Sequence, residues 1–135
     1  MTIASMQRCA QAAEVCAAAC DAALAADDSY TRPGTEPYAA GHLALVSCGA
    51  VCSLVVAAVR EGDGDLELLR WCAETCSQCA SGERPEHMPP AAWSLVTRAC
   101  MRCAIACQAV VDHVAHFARQ AIEASRDTDF HNLEA

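Results

Sequence analysis

Eleven cysteines recur at separations of three, four and seven residues: Cys9, Cys16 and Cys20; Cys48 and Cys52; Cys72, Cys76 and Cys79; Cys100, Cys103 and Cys107. Residues so spaced share one face of an α-helix. They form four stripes of thiol, where a helical bundle ordinarily places Leu or Val. A buried thiol can serve as a small hydrophobe, and that suffices for one or two positions. Eleven in 135 residues, all on core phases, point instead to soft-metal binding.

Thiolates select Cu(I), Zn(II) and iron–sulfur clusters. Zinc sites draw four ligands from separate knuckles or hairpins and come in small closed sets. Cys76-x-x-Cys79 and Cys100-x-x-Cys103 have that local spacing, but each is embedded in a longer helical stripe. Iron–sulfur ligands normally arrive as compact runs on loops, and no Cys-Pro run is present. Cu(I) is soft, takes two or three ligands, and lets bridging thiolates join several ions. It fits a row of thiols best because every sulfur is used, on the order of one ion or more per thiolate. An iron–sulfur bundle in redox or electron transfer, and a zinc-binding bundle, are the alternatives.

To bring these sulfurs together the chain needs helices, and its composition supplies them. Apolar residues make up 54% of the chain and aromatics only 4%, with Ala dominant. Ala is the best helix former and lets helices approach closely. The pattern predicts helix 1 from about Thr2 to Asp27, then a connector broken by Pro33, Gly34 and Pro37. Helix 2 runs from about Tyr38 to Glu61, with Gly62 as its C′ residue. Asp63 or Asp65 caps helix 3, which lasts to about Ala80 or Ser81. Helix 4 begins at Pro89-Pro90 and runs to about Ser125.

The expected fold is all-α, an antiparallel up-down-up-down four-helix bundle with cysteines lining the core. Residues 1–125 form one domain and 126–135 a polar, frayed tail. Helix 4 is about ten residues longer than its neighbours need, so its last turns project or pack on another subunit. At about 1.5 Å per residue the sulfurs line a tube about 20 Å long. Cys9, Cys107 and Cys52 fall at its lower end and Cys20 and Cys79 furthest up, with the rest between. Leu24, Leu45 and Val96 close the top.

Other classes fit poorly. The net charge is −8, every basic residue is Arg, and no basic cluster appears, which argues against nucleic acid. No apolar h-region follows a basic start and no run of 18 apolar residues occurs, so no secretory signal and no membrane span is expected. A cytoplasmic location, where thiols stay reduced, is the default. Disulfides within a stripe are geometrically awkward, and the odd count leaves one thiol over. No nucleophile or general base stands out, so no enzyme activity is expected.

Inward Cys-x-x-x-Cys and Cys-x-x-Cys pairs on four helices, with no export signal, resemble the cytosolic bacterial copper storage proteins. The resemblance runs from Cys9 to Cys107 and implies storage of many Cu(I) ions in the core, in a homo-oligomer, a tetramer by that likeness. Copper ions are the expected partners, with a copper chaperone or a low-molecular-weight thiol for exchange.

Family members resemble one another in placing His or Met near the core opening. At the lower end, the possible metal-entry residues are Met6, Asp65 and His113. Met6 lies about 60° off the helix 1 thiol axis, close enough to edge the mouth, and His113 about 110° off that of helix 4, so by phase it is not a core ligand but is the better placed of the helix 4 histidines. His116 lies nearly opposite the axis. His42, His87 and His131 are expected in solvent, and Trp71, Trp93 and Met101 in packing.

Overall fold

The computed structural model describes residues 3–26 and 40–134, the side chains of residues 40 and 128–134 excepted. Four helices follow in order: α1 (Ile3–Ala26), α2 (Ala40–Arg60), α3 (Leu66–Ser81) and α4 (Pro90–Glu134). They pack as an antiparallel bundle in which each helix touches its chain neighbours and α1 closes the ring against α4. The connector with Pro33, Gly34 and Pro37 lies outside the described residues.

Local chemistry sets the boundaries. α2 ends at Gly62, whose φ of 77° is the left-handed conformation that favours glycine. The Gly62 N–H donates to the Val59 carbonyl at 3.0 Å and the Asp63 N–H to Ala58 at 2.8 Å, which satisfies two orphan carbonyls of the last turn. Asp65 is the N-cap of α3, its carboxylate accepting the Glu67 N–H at 3.0 Å. Pro90 opens α4, where its missing N–H costs nothing.

α1, α2 and α4 are each long and apolar enough, by length and composition, to cross a membrane, and α2 reaches a mean hydropathy of 2.2. In the bundle, that apolar content builds a core: Leu45, Val51 and Val55 of α2 are buried with its two cysteines. Leu69 of α3 and Val96, Val110 and Val111 of α4 extend the core beyond the thiols.

Three expectations are corrected. α4 does not stop near Ser125 but stays helical to Glu134, so residues 126–134 continue the helix. That segment holds no Gly or Pro, and its Asp, Thr and Asn cost only tenths of a kcal/mol each (roughly 0.5) in a helix. Trp71 and Met101 are 54% and 47% exposed rather than packed, because each sits about 100° round its helix from a buried cysteine, Cys72 and Cys100. His42 is buried rather than in solvent. It lies one turn before Leu45 on the core face of α2, and the α3–α4 connector folds over that end. There a Cβ on Gly41 would lie 2.8 Å from Pro85 Cγ, so only glycine permits this approach.

Candidate metal centre

All eleven cysteines are free thiols and all are buried. Their helical phases match those of Leu45, Val55 and Val96, so the packing that buries these apolar residues also draws the sulfurs inward. The tube begins at its lower end with Cys9 and Cys107, whose Sγ atoms are 2.9 Å apart across α1 and α4. Above them, Cys72 lies 3.7 Å from Cys103 and 3.9 Å from Cys52. Cys52 also lies 3.6 Å from Cys76 and 3.9 Å from Cys103, so it belongs to the middle of the tube rather than its lower end. Placing the helices level with one another along the axis does not reproduce these neighbours.

The next layer is the densest. Cys48 lies 3.7 Å from Cys16, 3.6 Å from Cys76 and 3.6 Å from Cys100. Cys16 lies 3.5 Å from Cys100 and 4.0 Å from Cys76. Cys20 and Cys79 complete the upper end.

Three sets of four sulfurs have every member within 4.8 Å of the others: Cys16, Cys20, Cys48 and Cys100; Cys16, Cys48, Cys52 and Cys76; Cys52, Cys72, Cys76 and Cys103. With a metal–thiolate length of about 2.3 Å, sulfurs stand about 3.8 Å apart around a tetrahedral ion, about 4.0 Å around a trigonal one and about 4.6 Å across a digonal one. The separations suit all three geometries, so distance alone does not choose the metal. Sharing does. Cys16, Cys48, Cys52 and Cys76 each belong to two sets, and closed four-sulfur sites would use eight of the eleven thiols and strand three. Ions of low coordination number joined by bridging sulfurs leave none unused.

The thiols also divide the protons unevenly. The hydrogen bond with Cys100 pulls the Cys16 thiol down to about 5. Bonds led by those with Cys100 and Cys103 lower Cys48 and Cys72 respectively, and one with Cys107 lowers Cys103. Cys20, Cys52 and Cys100 are pushed up, led by their bonds with Cys100, Cys103 and Cys16 in turn, and burial adds to each. Cys107 is raised, chiefly by Cys103. In each case the neighbouring sulfurs set the direction, so the thiols of the core behave as one interacting set rather than as separate groups.

The three residues expected at a lower mouth stand apart from this network. Met6 is half-buried against the core. Asp65 is exposed, with its carboxylate engaged as the α3 cap. His113 is exposed on the flank of α4, where it stacks on Phe117 with ring centroids 6.5 Å apart.

The upper end holds two donors that spacing missed, His42 and Met88, which are 3% and 1% exposed. His42 was legible in its phase one turn before Leu45. Met88 was not, because it lies in the connector. A surface cleft of about 430 Å³ also opens there, lined by Gly41, Gln78, Glu83, Pro85 and Cys79 itself.

No individually curated protein matches the sequence. The chain superposes on a solved structure of the Cu(I)-bound copper storage protein BsCsp3 with a TM-score of 0.62 and 19% identity, over 78% of this chain and 96% of that one. At that identity the likeness establishes the helical-bundle fold. The family model for copper storage proteins matches residues 1–113, which contain every cysteine. The chain belongs to the copper storage protein family.

Proposed function

We propose that the bundle stores and buffers many Cu(I) ions on its core thiolates, with Cys9, Cys16, Cys20, Cys48, Cys52, Cys72, Cys76, Cys79, Cys100, Cys103 and Cys107 as the ligands. The observation that carries the assignment is the sharing of sulfurs between overlapping four-thiol sets. A ligand shared by two sets can bridge two ions, and a row of bridges makes a multi-ion container. Each thiol that binds metal exchanges S–H for S–Cu(I) and releases its proton to solvent, and the cation offsets the buried negative charge. No turnover is required of such a site. Reduced thiols need a reducing compartment, which supports a cytoplasmic location. A copper chaperone or a small thiol is the fitting exchange partner, since either offers competing soft ligands.

Copper exchange requires a way in. The cleft at Cys79 supports entry at the upper end, where a core thiol borders a surface opening beside Glu83. Met6, Asp65 and His113 define the rival route at the lower end. Cu(I) titration of the reduced protein, without oxygen and against a competing chelator, tests storage: saturation near one ion per thiolate is expected, and saturation at one or two ions refutes it. Removal rates separate the routes. Cys79→Ala should slow chelator-driven release if the upper end is used, whereas the triple variant Met6→Ala, Asp65→Ala, His113→Ala should slow it if the lower end is used.

A further inference from the structure

The cleft at the upper end differs from the other openings of the surface. Those along α1 and α4 are lined by no cysteine, whereas the upper cleft, of about 430 Å³, has Cys79 in its wall. Cys79 is also the one thiol of the eleven with any exposure, 2% against 0% for the rest. Behind it stands Cys20, which interacts with Cys79. A soft ion arriving in the cleft therefore meets one core sulfur first and a second directly behind it.

Two residues of opposite charge line the same cleft. Glu83 and Arg84 follow directly on Gly82, the C-cap of α3. The end of α3 adds to the negative side, because the last carbonyls of a helix carry partial negative charge and lack intrahelical partners. The Gly82 N–H satisfies one of them, that of Cys79, at 3.3 Å. Arg84 is held in place, since one Nη atom donates to the Met88 carbonyl, and its other N–H groups are left for a ligand. The volume is that of a site for a small organic molecule. Because Cys79 is almost wholly buried, a donor's sulfur has to enter the cleft to reach it, and a small molecule does so more readily than a folded domain.

We propose, on the footing that the core stores Cu(I), that this cleft is the docking site of a zwitterionic low-molecular-weight thiol carrying the ion. Glu83 and the α3 C-terminus take the ammonium group of the carrier, Arg84 takes its carboxylate, and Cys79 receives the metal. An α-amino acid thiol has both charges on one carbon and its sulfur one methylene away. That compactness suits two consecutive charged residues beside a single buried thiol. No electron changes hands in the exchange. Cys79 Sγ adds to the anionic bis-thiolate Cu(I) complex, one carrier thiolate leaves with the proton of Cys79, and Cys20 displaces the second in the same way. One bis-thiolate Cu(I) anion and two core S–H groups thus give one core S–Cu(I)–S anion and two carrier thiols.

Stopped-flow transfer of Cu(I) to the reduced full-length protein, without oxygen, tests the docking with three carriers. Cysteine has both charges, cysteamine only the ammonium and N-acetylcysteine only the carboxylate. A net charge of −8 draws cationic carriers to any part of the surface, so each carrier is compared between variants at fixed salt rather than with the other carriers. Transfer from the cysteine complex should saturate as carrier rises to millimolar concentration, and a strictly linear dependence overturns the proposal. Glu83→Gln should lower the second-order rate constant about 10-fold for cysteine and cysteamine, the loss of one charge-assisted hydrogen bond, and leave N-acetylcysteine within about 2-fold. Arg84→Gln should do the same for cysteine and N-acetylcysteine and spare cysteamine. Arg84 also ties the connector at Met88, but damage there slows all three carriers alike, so an equal loss across carriers overturns its role as the anion site. Cys79→Ala should abolish the saturable phase; if that phase survives, docking lies elsewhere and the proposal fails. Final copper content is read in the same runs. One or two ions per chain refutes storage itself, whereas full content delivered at rates indifferent to carrier charge in every variant refutes the docking alone.

Discussion

Replacing Cys52 by Ala should cost more copper than replacing Cys9, although each change removes one sulfur. Cys52 Sγ lies within 3.9 Å of Cys72, Cys76 and Cys103 and belongs to two of the three four-thiol sets. Cys9 has one sulfur neighbour at bonding range, Cys107 at 2.9 Å. If each thiolate contributes on the order of one ion, and a bridging sulfur serves two ions, Cys52→Ala removes about two ions and Cys9→Ala about one. Loss of a single buried sulfur atom should lower apo stability by about 1 kcal/mol, well short of unfolding the bundle. The assay is anaerobic Cu(I) titration against a chromogenic chelator, with capacity set against protein concentration and helicity checked in parallel. Equal losses for the two variants would refute the bridging argument. Undiminished capacity in Cys52→Ala would refute the core as the binding site.

The raised thiols set a pH limit on the apo protein. Cys20, Cys52, Cys76, Cys100 and Cys107 have folded pKa values above the ordinary 9.0, so their stabilisation is complete below pH 9 and is lost as pH rises beyond it. Each such thiol removes about 1.4 kcal/mol per pH unit, and urea midpoints should fall steeply between pH 9 and 11; a flat profile there contradicts the buried network. Copper loading should raise the melting temperature progressively, since each bound ion adds about 1.4 kcal/mol of stability for every tenfold excess of free ion over its dissociation constant, and should release protons measurable in weakly buffered solution. An unchanged melting temperature would mean that copper sits outside the core. Gly41→Ala should destabilise the fold by about 1–3 kcal/mol through the clash with the Pro85 ring and, by lifting the connector, speed copper removal by a chelator; slower removal would argue against the upper route.

Periodicity made the bundle and its thiol lining legible because both obey one rule. Cys16, Cys48, Cys76 and Cys100 lie on the phases of Leu45 and Val96, so the geometry that predicts a core also predicts a cluster. The caps at Gly62 and Asp65 were equally readable, since each depends on one residue and its immediate neighbours. What the spacing did not carry was the relative axial setting of the helices, which fixes Cys52 among the middle sulfurs. That setting comes from side-chain interlocking, to which a single helix's period is blind. Met88 and the cleft at Cys79 were hidden for a related reason: they depend on how residues 82–89 fold back over Gly41, a contact between segments some 40 positions apart in sequence.

The length of α4 shows why the two halves of this chain answer to different physics. From Pro90 to Val111 the helix is held by two neighbours, α1 and α3, and a cysteine there gains both burial and a partner sulfur, from α2 across the core as well as from α3. Past Val114 no cysteine occurs, and residues 115–127 are exposed, with Phe117 stacked on His113. The apolar residues of this stretch thus cannot be accounted for by the storage core, which ends about two turns earlier at Cys107. Helix-forming residues alone would have sustained a polar rod. Phe117 and Ile122 instead add exposed apolar surface beyond the core. The thiol lining therefore ends at Cys107, two turns before Val114, and the rest of α4 takes no part in it.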